Sequence, residues 1–353
     1  LDANTTANNN TAVGRHTLSA NTTGASNTAI GNSVLYSNTT ASNNTAVGYY
    51  ALDANTTGSN NVAVGYAALD ANTTASNNIA VGYRALTANT TGDANVSVGT
   101  DSLRYCTTGS RNTTMGYNAG QNVTTGNNNT YIGEGCAASA TTGANNTGVG
   151  RACYEALSTG YNNAAVGEEA LEDLTTGNDN IAMGYAAGLL VTTGANNVLL
   201  GSFAGSNLTT GNNNICLGQG SQNLNATESN VITLGNSSHD NLRCNDTSIS
   251  SLSDRRDKTE IIDLPIGLDF INNLSPRKFK WQTRDGNVKD GLYRAGFIAQ
   301  ELQEAQKDSD YLDLVLDKNP ERLEAKQEHL IPVLVNAVKE LSAKVEELES
   351  KLN

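Results

Sequence analysis

Hydrophobic residues recur at fixed positions of a 17-residue unit over the first two thirds of the chain. In each unit a Val, Ile, Leu or Met directly precedes a Gly, and fourteen such glycines lie 17 residues apart, from Gly14 to Gly235. Two residues before that hydrophobic residue stands Thr, Val or Ile, with Ala164 as the exception. Because alternate residues of a strand share a side, this spacing predicts a short strand with one buried face in each unit.

The remaining positions of the unit predict how neighbouring units stack. The residue between the two alternating positions is most often Ala, which suits close approach of another backbone. Asn stands four residues before the Gly in every unit except the last, which has Val231, and Thr stands eight before it in all fourteen. Identical side chains one coil apart would lie about 4.8 Å from each other, where asparagines can form a hydrogen-bonded ladder.

A regular repeat without insertions predicts a mainly β fold, a β-roll or β-solenoid with one unit per coil. Seventeen residues accommodate two short strands, as in NNVAVG and YAAL at 60–69, joined by turns. Fourteen coils would extend about 67 Å. Because so thin a coil buries little surface, we expect a homotrimer that covers the Ala-rich face. Leu1 occupies the position of Leu52 in its unit, so further chain is expected to precede it.

Composition changes after Gly235. Lysine is absent from residues 1–235, whereas the remainder holds 17 of the 22 basic residues and the single Trp281. We therefore predict a roll at 1–235, a linker at 236–252 and a small α+β domain at 253–353. Hydrophobic residues at alternating spacings of three and four predict a terminal coiled coil at about 331–352, or else one amphipathic helix on a globular core; they are Ile331, Leu334, Val338, Leu341, Val345, Leu348 and Leu352.

Charge and the reactive side chains narrow the function classes. The net charge of −13 disfavours a nucleic-acid partner, and no hydrophobic run is long enough to span a membrane. Isolated histidines predict neither a metal site nor a cofactor. Cys136 and Cys153 occupy one column of adjacent coils, so either a disulfide or two buried free thiols is expected there.

One segment of the second domain carries candidate chemistry. SDRRDK places Ser253, Asp254, Arg256 and Lys258 in the order S-D-x-R-x-K, and LSPRKFKW, AGFIAQELQ and HLIPVLVNAVKEL follow it. Together these four segments resemble the intramolecular chaperone domain of peptidase family S74, which closes phage tail fibres and endosialidases. The repeats are similar to the β-roll heads of trimeric autotransporter adhesins and to phage tail-fibre repeats. That likeness implies a left-handed parallel roll and a trimer.

The resemblance implies self-cleavage by a Ser–Lys dyad, with no activity on external substrates. Ser253 would be the nucleophile that attacks the carbonyl of Leu252, and Lys258 would be the base. Since lysine ordinarily has a pKa of about 10.4, this base would need desolvation or a neighbouring cation such as Arg256. Asp254 and Arg256 would position the loop or a trimer contact, or else form a solvated charged turn.

The predicted function is the shaft of a viral tail fibre or spike that attaches to a host surface. Its partners would be two further copies, a host glycan or protein receptor, and other virion tail proteins bound through the preceding chain. A C-terminal trimeric nucleus would prevent register slips between repetitive chains. Tyr49, Tyr66 and Tyr83 follow the Gly of three consecutive coils, which predicts a stacked stripe for receptor binding or a stabilising ladder.

Two other functions are compatible with the repeats. A glycan-degrading spike would need two carboxylates in a groove, and the best cluster is Glu168, Glu169, Glu172, Asp173 and Asp179. A bacterial trimeric surface adhesin would share the roll.

Overall fold

A computed structural model describes residues 2–223, 225–239, 253–282, 288–317 and 323–352. The chain divides into two compact units, Leu1–Leu242 and Arg243–Asn353. None of the helices in the described ranges is both long and apolar enough to cross a membrane.

The first unit is a parallel β-solenoid, which confirms the predicted fold class. Fourteen short strands form one sheet in chain order, and each strand pairs in parallel with the next at an offset of one repeat, as in Thr28 with Thr45. The strands are β1 (Thr11–Val13), β2 (Thr28–Asn32), β3 (Thr45–Tyr49), β4 (Val62–Val64), β5 (Ile79–Val81), β6 (Val96–Val98), β7 (Thr113–Met115), β8 (Thr130–Ile132), β9 (Thr147–Val149), β10 (Ala164–Val166), β11 (Ile181–Met183), β12 (Val198–Leu200), β13 (Ile215–Leu217) and β14 (Ile232–Leu234).

The expectation of a second strand in each coil is wrong for the coils that the structure describes. The YAAL segment is a turn, in which Ala67 and Leu69 have left-handed φ values of 51° and 53°. This turn reverses the chain within a few residues and points Leu69 into the coil, where it is completely buried. An extended YAAL would carry the chain past the point at which the next coil begins.

The strands also face the opposite way from the prediction. The central residue of each strand points into the coil, so that Ala63 and Ala80 are fully buried, whereas Ile79 and Val81 are exposed. In the coils that have a turn leucine, such as Leu69 and Leu86, this buried side chain occupies the narrow interior, and only a small residue fits between strand and turn. Alanine is therefore the inner lining of the coil, and the surface left for another chain consists of the larger Thr, Val, Ile and Met side chains.

Where a coil lacks the usual central Ala of the strand or the usual Leu of the turn, a change in the other position compensates for the volume. Leu199 replaces the central Ala of its strand, and the leucine positions beside it become Gly188 and Gly205. A Cβ added to Gly205 would lie 2.5 Å from Leu199 Cδ2, so the two substitutions compensate each other. Tyr131 and Gly120 form a similar pair.

The predicted asparagine ladder is present. Asn78 Oδ1 accepts a hydrogen bond of 2.9 Å from the backbone N–H of Asn95, and Asn78 Nδ2 donates to the carbonyl of Gly92 in the next coil at 2.9 Å. A second ladder, not identified from the sequence, lies seven residues after the Gly, where Asn38 Nδ2 donates to Asn21 Oδ1 at 2.8 Å. From Cys106 to Leu208 this second column is apolar, and Asn225 ends it. Both ladders satisfy polar groups that are buried inside the solenoid.

The repeated glycine is required for two reasons. Gly65 has a φ of 138°, a backbone conformation that residues with a side chain rarely adopt. In addition, a Cβ at this position would lie 2.3 Å from the carbonyl oxygen of Gly82. The close stacking of neighbouring coils therefore excludes any side chain in this column.

The second unit is a small α+β domain. Its elements are α1 (Leu268–Asn272), β15 (Arg277–Gln282), β16 (Val288–Gly296), α2 (Ala299–Ala305), β17 (Val315–Leu316), β18 (Glu324–Ala325) and α3 (Ile331–Leu352). Strands β15 and β16 pair antiparallel, as do β17 and β18. The core is a cluster of buried Leu302, Leu312, Leu314, Val315, Leu330 and Val333.

Helix α3 has two apolar sides. Val333 and Ala337 are buried in the domain, and Asn336 Nδ2 donates to the carbonyls of Leu264 and Ile266 at 3.0 and 2.8 Å. The predicted heptad seam lies on another side and is exposed, with Val338 62% and Leu348 60% accessible. A single chain therefore leaves the seam without a covering element among the described residues.

Candidate functional site

The structure brings Ser253 and Lys258 into contact. Lys258 Nζ lies 2.6 Å from Ser253 Oγ. A single 3₁₀ turn, Arg255–Asp257, separates them, and Asp254 caps this turn by accepting a hydrogen bond of 2.9 Å from the backbone N–H of Arg256. The turn closes the five-residue spacing of the motif and places the amine beside the hydroxyl.

Asp254 and Arg256 hold the turn together. The Arg256 guanidinium donates from Nη2 to Asp254 Oδ2 at 2.6 Å and from Nε at 3.1 Å. Hydrogen bonding to Arg256 lowers the pKa of the Asp254 carboxyl, and the same bond raises the pKa of Arg256. This pairing directs Arg256 toward Asp254 in an exposed turn, and the positioning role of both residues stays a prediction beside the alternative of a solvated charged turn.

The dyad lies in water in a single chain. All residues from Ser253 to Lys258 are exposed. A lysine amine accepts a proton near neutral pH only where burial or an adjacent cation favours its neutral form. The chain therefore aligns the predicted nucleophile and base, but it does not by itself bury them. Leu252, whose carbonyl is the predicted target, lies outside the described residues.

Comparison with protein families identifies this region. Residues 253–311 match the model of peptidase family S74, the chaperone of endosialidase. The C-terminal part of the chain carries this domain, as its motifs indicated. No curated protein and no solved structure matches the chain significantly. An S74 domain together with a parallel β-solenoid fits a protein that resembles a tail fibre or spike.

The three predicted stripe tyrosines stack on one another. The ring centroids of Tyr49 and Tyr66 are 5.6 Å apart with nearly parallel planes, and those of Tyr66 and Tyr83 are 5.2 Å apart. Tyr50 packs edge-on against Tyr49, and the Arg84 guanidinium lies over Tyr83. Both faces of Tyr66 are therefore covered, so a ligand of this stripe would meet mainly ring edges and hydroxyl groups.

The predicted carboxylate cluster is partly neutralised. Arg151 forms ion pairs with Glu168 and Glu169 from the next coil. Burial, followed by the charge of Glu169, raises the pKa of Glu172. Asp179 accepts a hydrogen bond of 3.0 Å from Asn162, and within the described ranges no group of residues is arranged to hold a metal ion. Sequence reasoning did not identify Arg151, although it follows the repeated Gly and faces the glutamates one coil later.

The paired cysteines are free thiols. Cys136 and Cys153 are fully buried inside the coil, as are Cys106 and Cys216. A hydrogen bond with Cys136, together with burial, raises the pKa of the Cys153 thiol. Cys244 lies outside the described residues.

Proposed function

We propose that this chain forms the shaft of a homotrimeric tail fibre or spike that attaches a virion to a host surface. Its C-terminal domain would align three copies and then cut itself off between Leu252 and Ser253. The observation that carries the proposal is the 2.6 Å contact between Lys258 and Ser253 in a domain of the S74 family.

Two exposed apolar surfaces support association with further copies. On the roll, the outer residues of β5 and β11 include Ile79, Val81, Ile181 and Met183, all of them exposed. On α3, the seam residues Leu341, Val345 and Leu348 are exposed at heptad spacing. Large exposed apolar surface normally marks an interaction site. Since both surfaces belong to one chain and follow its repeats, copies of the same chain are the partners that fit them.

The cleavage step moves one acyl group. Ser253 Oγ attacks the carbonyl carbon of Leu252 while Lys258 Nζ takes the hydroxyl proton. The Leu252–Ser253 peptide bond breaks as its nitrogen is protonated, which leaves an ester on Ser253 Oγ and a free amine on Ser253. Water then hydrolyses the ester, releasing residues 1–252 with a terminal carboxylate.

The exposure of the dyad in one chain supports a cleavage step that depends on assembly. A second copy placed against the turn would remove water from Lys258 and favour its neutral form. Cleavage would then follow trimerisation, and it would remove the folding nucleus only after the roll has formed. Such a fibre could not easily refold, so its stability would be kinetic.

Denaturing electrophoresis of purified protein tests the chemistry. Wild type should give two bands, of 252 and 101 residues (353 − 252). Ser253→Ala and Lys258→Arg should each give one full-length band, since the first removes the nucleophile and the second keeps the charge but not the base. Ser251→Ala is the matched control and should still be cut. Full cleavage of Lys258→Arg would contradict the assigned base.

Light scattering tests the assembly. Leu341→Asp with Leu348→Asp places charge on the seam and should yield uncut monomers. Ala343→Asp with Ser350→Asp adds the same charge on the opposite side of α3 and should leave a cleaved trimer. A monomeric seam variant that still cleaves itself would refute the dependence on assembly.

Host attachment is tested with the tyrosine stripe. If it binds the receptor, replacing Tyr49, Tyr66 and Tyr83 by Ser should reduce adsorption to host cells while the trimer persists. Unchanged adsorption would leave the stripe with a stabilising role alone.

A further inference from the structure

The roll has a hollow of about 260 Å³ on the turns that follow three consecutive strands, β7 to β9. Its lining includes Tyr117, Glu134, Gly135, Ala138, Arg151 and Glu155. Drug-sized ligands usually occupy pockets of about 300–1,000 Å³. The hollow is therefore of a size for one small ring rather than for an extended molecule.

Gly135 contributes open space to the hollow. It lies two residues after the repeated Gly, in a column that holds Tyr50, Arg84 and Phe203 in other coils. Gly135 has the same left-handed backbone as Phe203, with φ values of 64° and 57°, and an added Cβ would meet nothing within 4 Å. Because Phe203 adopts the same backbone conformation in its coil, the backbone does not require a glycine at position 135. The missing side chain leaves open space there.

The walls combine an open aromatic ring with acidic groups. Tyr117 is 54% exposed, and among the described residues its ring stacks on no other ring or cation, in contrast to Tyr66. Glu134 and Glu155 contribute carboxylates. Arg151 forms ion pairs with Glu168 and Glu169 of the next coil and also interacts electrostatically with Glu134 in the hollow.

We propose that this hollow binds a single neutral hexose ring of a host-surface polysaccharide. An aromatic face packs against the C–H face of a sugar, and carboxylates accept hydrogen bonds from its hydroxyls. The two glutamates would repel uronic and sialic acids, which gives selectivity by charge. The inference rests on the proposed attachment function and assigns it a ligand class and a site separate from the tyrosine stripe.

Saturation-transfer NMR on the full chain tests the site. The probes are the methyl α-glycosides of glucose, galactose and mannose, with glucuronate and N-acetylneuraminate as acidic comparisons. At least one neutral glycoside should receive magnetisation, strongest on the ring protons of one face, and the acids should receive none. Gly135→Phe fills the hollow, and Tyr117→Ala removes its aromatic wall. Each should raise the Kd at least about tenfold, whereas Tyr161→Ala, at another exposed tyrosine, should not change it.

Thermal melting by circular dichroism verifies that each variant is folded. If Gly135→Phe fails to fold, the Kd of Tyr117→Ala alone decides whether the glycoside binds at the hollow. Binding of no neutral glycoside by the wild-type chain, equal binding of the acids, or unchanged binding by both hollow variants would overturn the site. Such a result in a protein that is trimeric and cleaved would leave the proposed shaft and its maturation standing.

Discussion

At the scale of single residues, the turn leucines show how burial offsets backbone strain. Leu52, Leu69 and Leu86 have φ values near 53° and are completely buried. The left-handed conformation costs about 1–2 kcal/mol for a residue with a side chain. Burying a leucine contributes about 1.5–3 kcal/mol, so burial of the side chain offsets the strain at these three residues.

Paired substitutions at Leu199 and Gly205 test this packing. Leu199→Ala should destabilise the roll by about 2–5 kcal/mol, because it leaves a cavity. Gly205→Leu should also destabilise it, since Leu199 Cδ2 lies 2.5 Å from the position of the new Cβ. The double variant restores the common Ala–Leu combination and should be more stable than the sum of the two effects predicts. Strictly additive effects in denaturant titrations would contradict compensation.

Asp70 predicts a pH dependence of stability. Burial, followed by the charge of Asp53 one coil earlier, raises the Asp70 pKa to about 6. Because the folded pKa exceeds the unfolded value, this group's contribution is most favourable below about pH 4 and is lost as the pH rises through 6. Asp70→Asn should therefore stabilise the roll at pH 7, by about 1 kcal/mol after allowance for its partial exposure, and should have little effect at pH 4. Melting curves at both values check this, and equal effects at the two would exclude titration of Asp70 as the cause.

At the scale of the strand, neighbouring residues have separate tasks. Ala80 faces the interior and is completely buried, whereas Val81 faces outward and is 36% exposed. The inner row sets how closely the coil packs, and the outer row is the surface proposed to meet other copies.

Aspartate substitutions in one strand separate these tasks. Val81→Asp should leave each coil folded but should weaken the trimer, because it puts charge on the outer row. Ala80→Asp should prevent folding of that region, since an unpaired carboxylate inside the coil costs several kcal/mol. Circular dichroism with light scattering distinguishes the outcomes. A Val81→Asp protein that remains trimeric at low concentration would show that the outer row is not the interface.

At the scale of the whole molecule, the solenoid is a sum of similar coils. Each strand between β1 and β14 pairs with its two neighbours, and the ladder asparagines bond to the next coil. Stability in such a structure is approximately the sum of repeat and neighbour terms. One complete coil can therefore be removed without changing the architecture.

Deletion of Ile79–Asn95, which is 17 residues, should give a folded and shorter roll, because Asn78 then joins Val96 in the same register. Deletion of Ile79–Thr87 removes a strand and a turn but keeps the rest of the coil, and it should disrupt both asparagine ladders. Thermal melting and light scattering compare the two. Equal disruption by both deletions would contradict independent coils.

The sequence alone determined the period, the stacking of one unit per coil, the first asparagine ladder and the apolar spacing along the last helix. These features depend on spacing along the chain, and a fixed spacing of 17 residues brings identical residues together in any solenoid. The S-D-x-R-x-K motif likewise indicated the S74 domain, since it and the next two segments lie in order within the matched residues 253–311.

Only the tertiary structure decided which side of each strand faces inward and that YAAL is a turn. Both depend on the width of the coil, which is set by residues in different parts of the unit, such as the strand residue Ala80 and the turn residue Leu86. The contact between Ser253 and Lys258 needed the turn capped by Asp254. The hollow at Gly135 needed three stacked coils, because one missing side chain makes a cavity only where its neighbours in adjacent coils supply the walls.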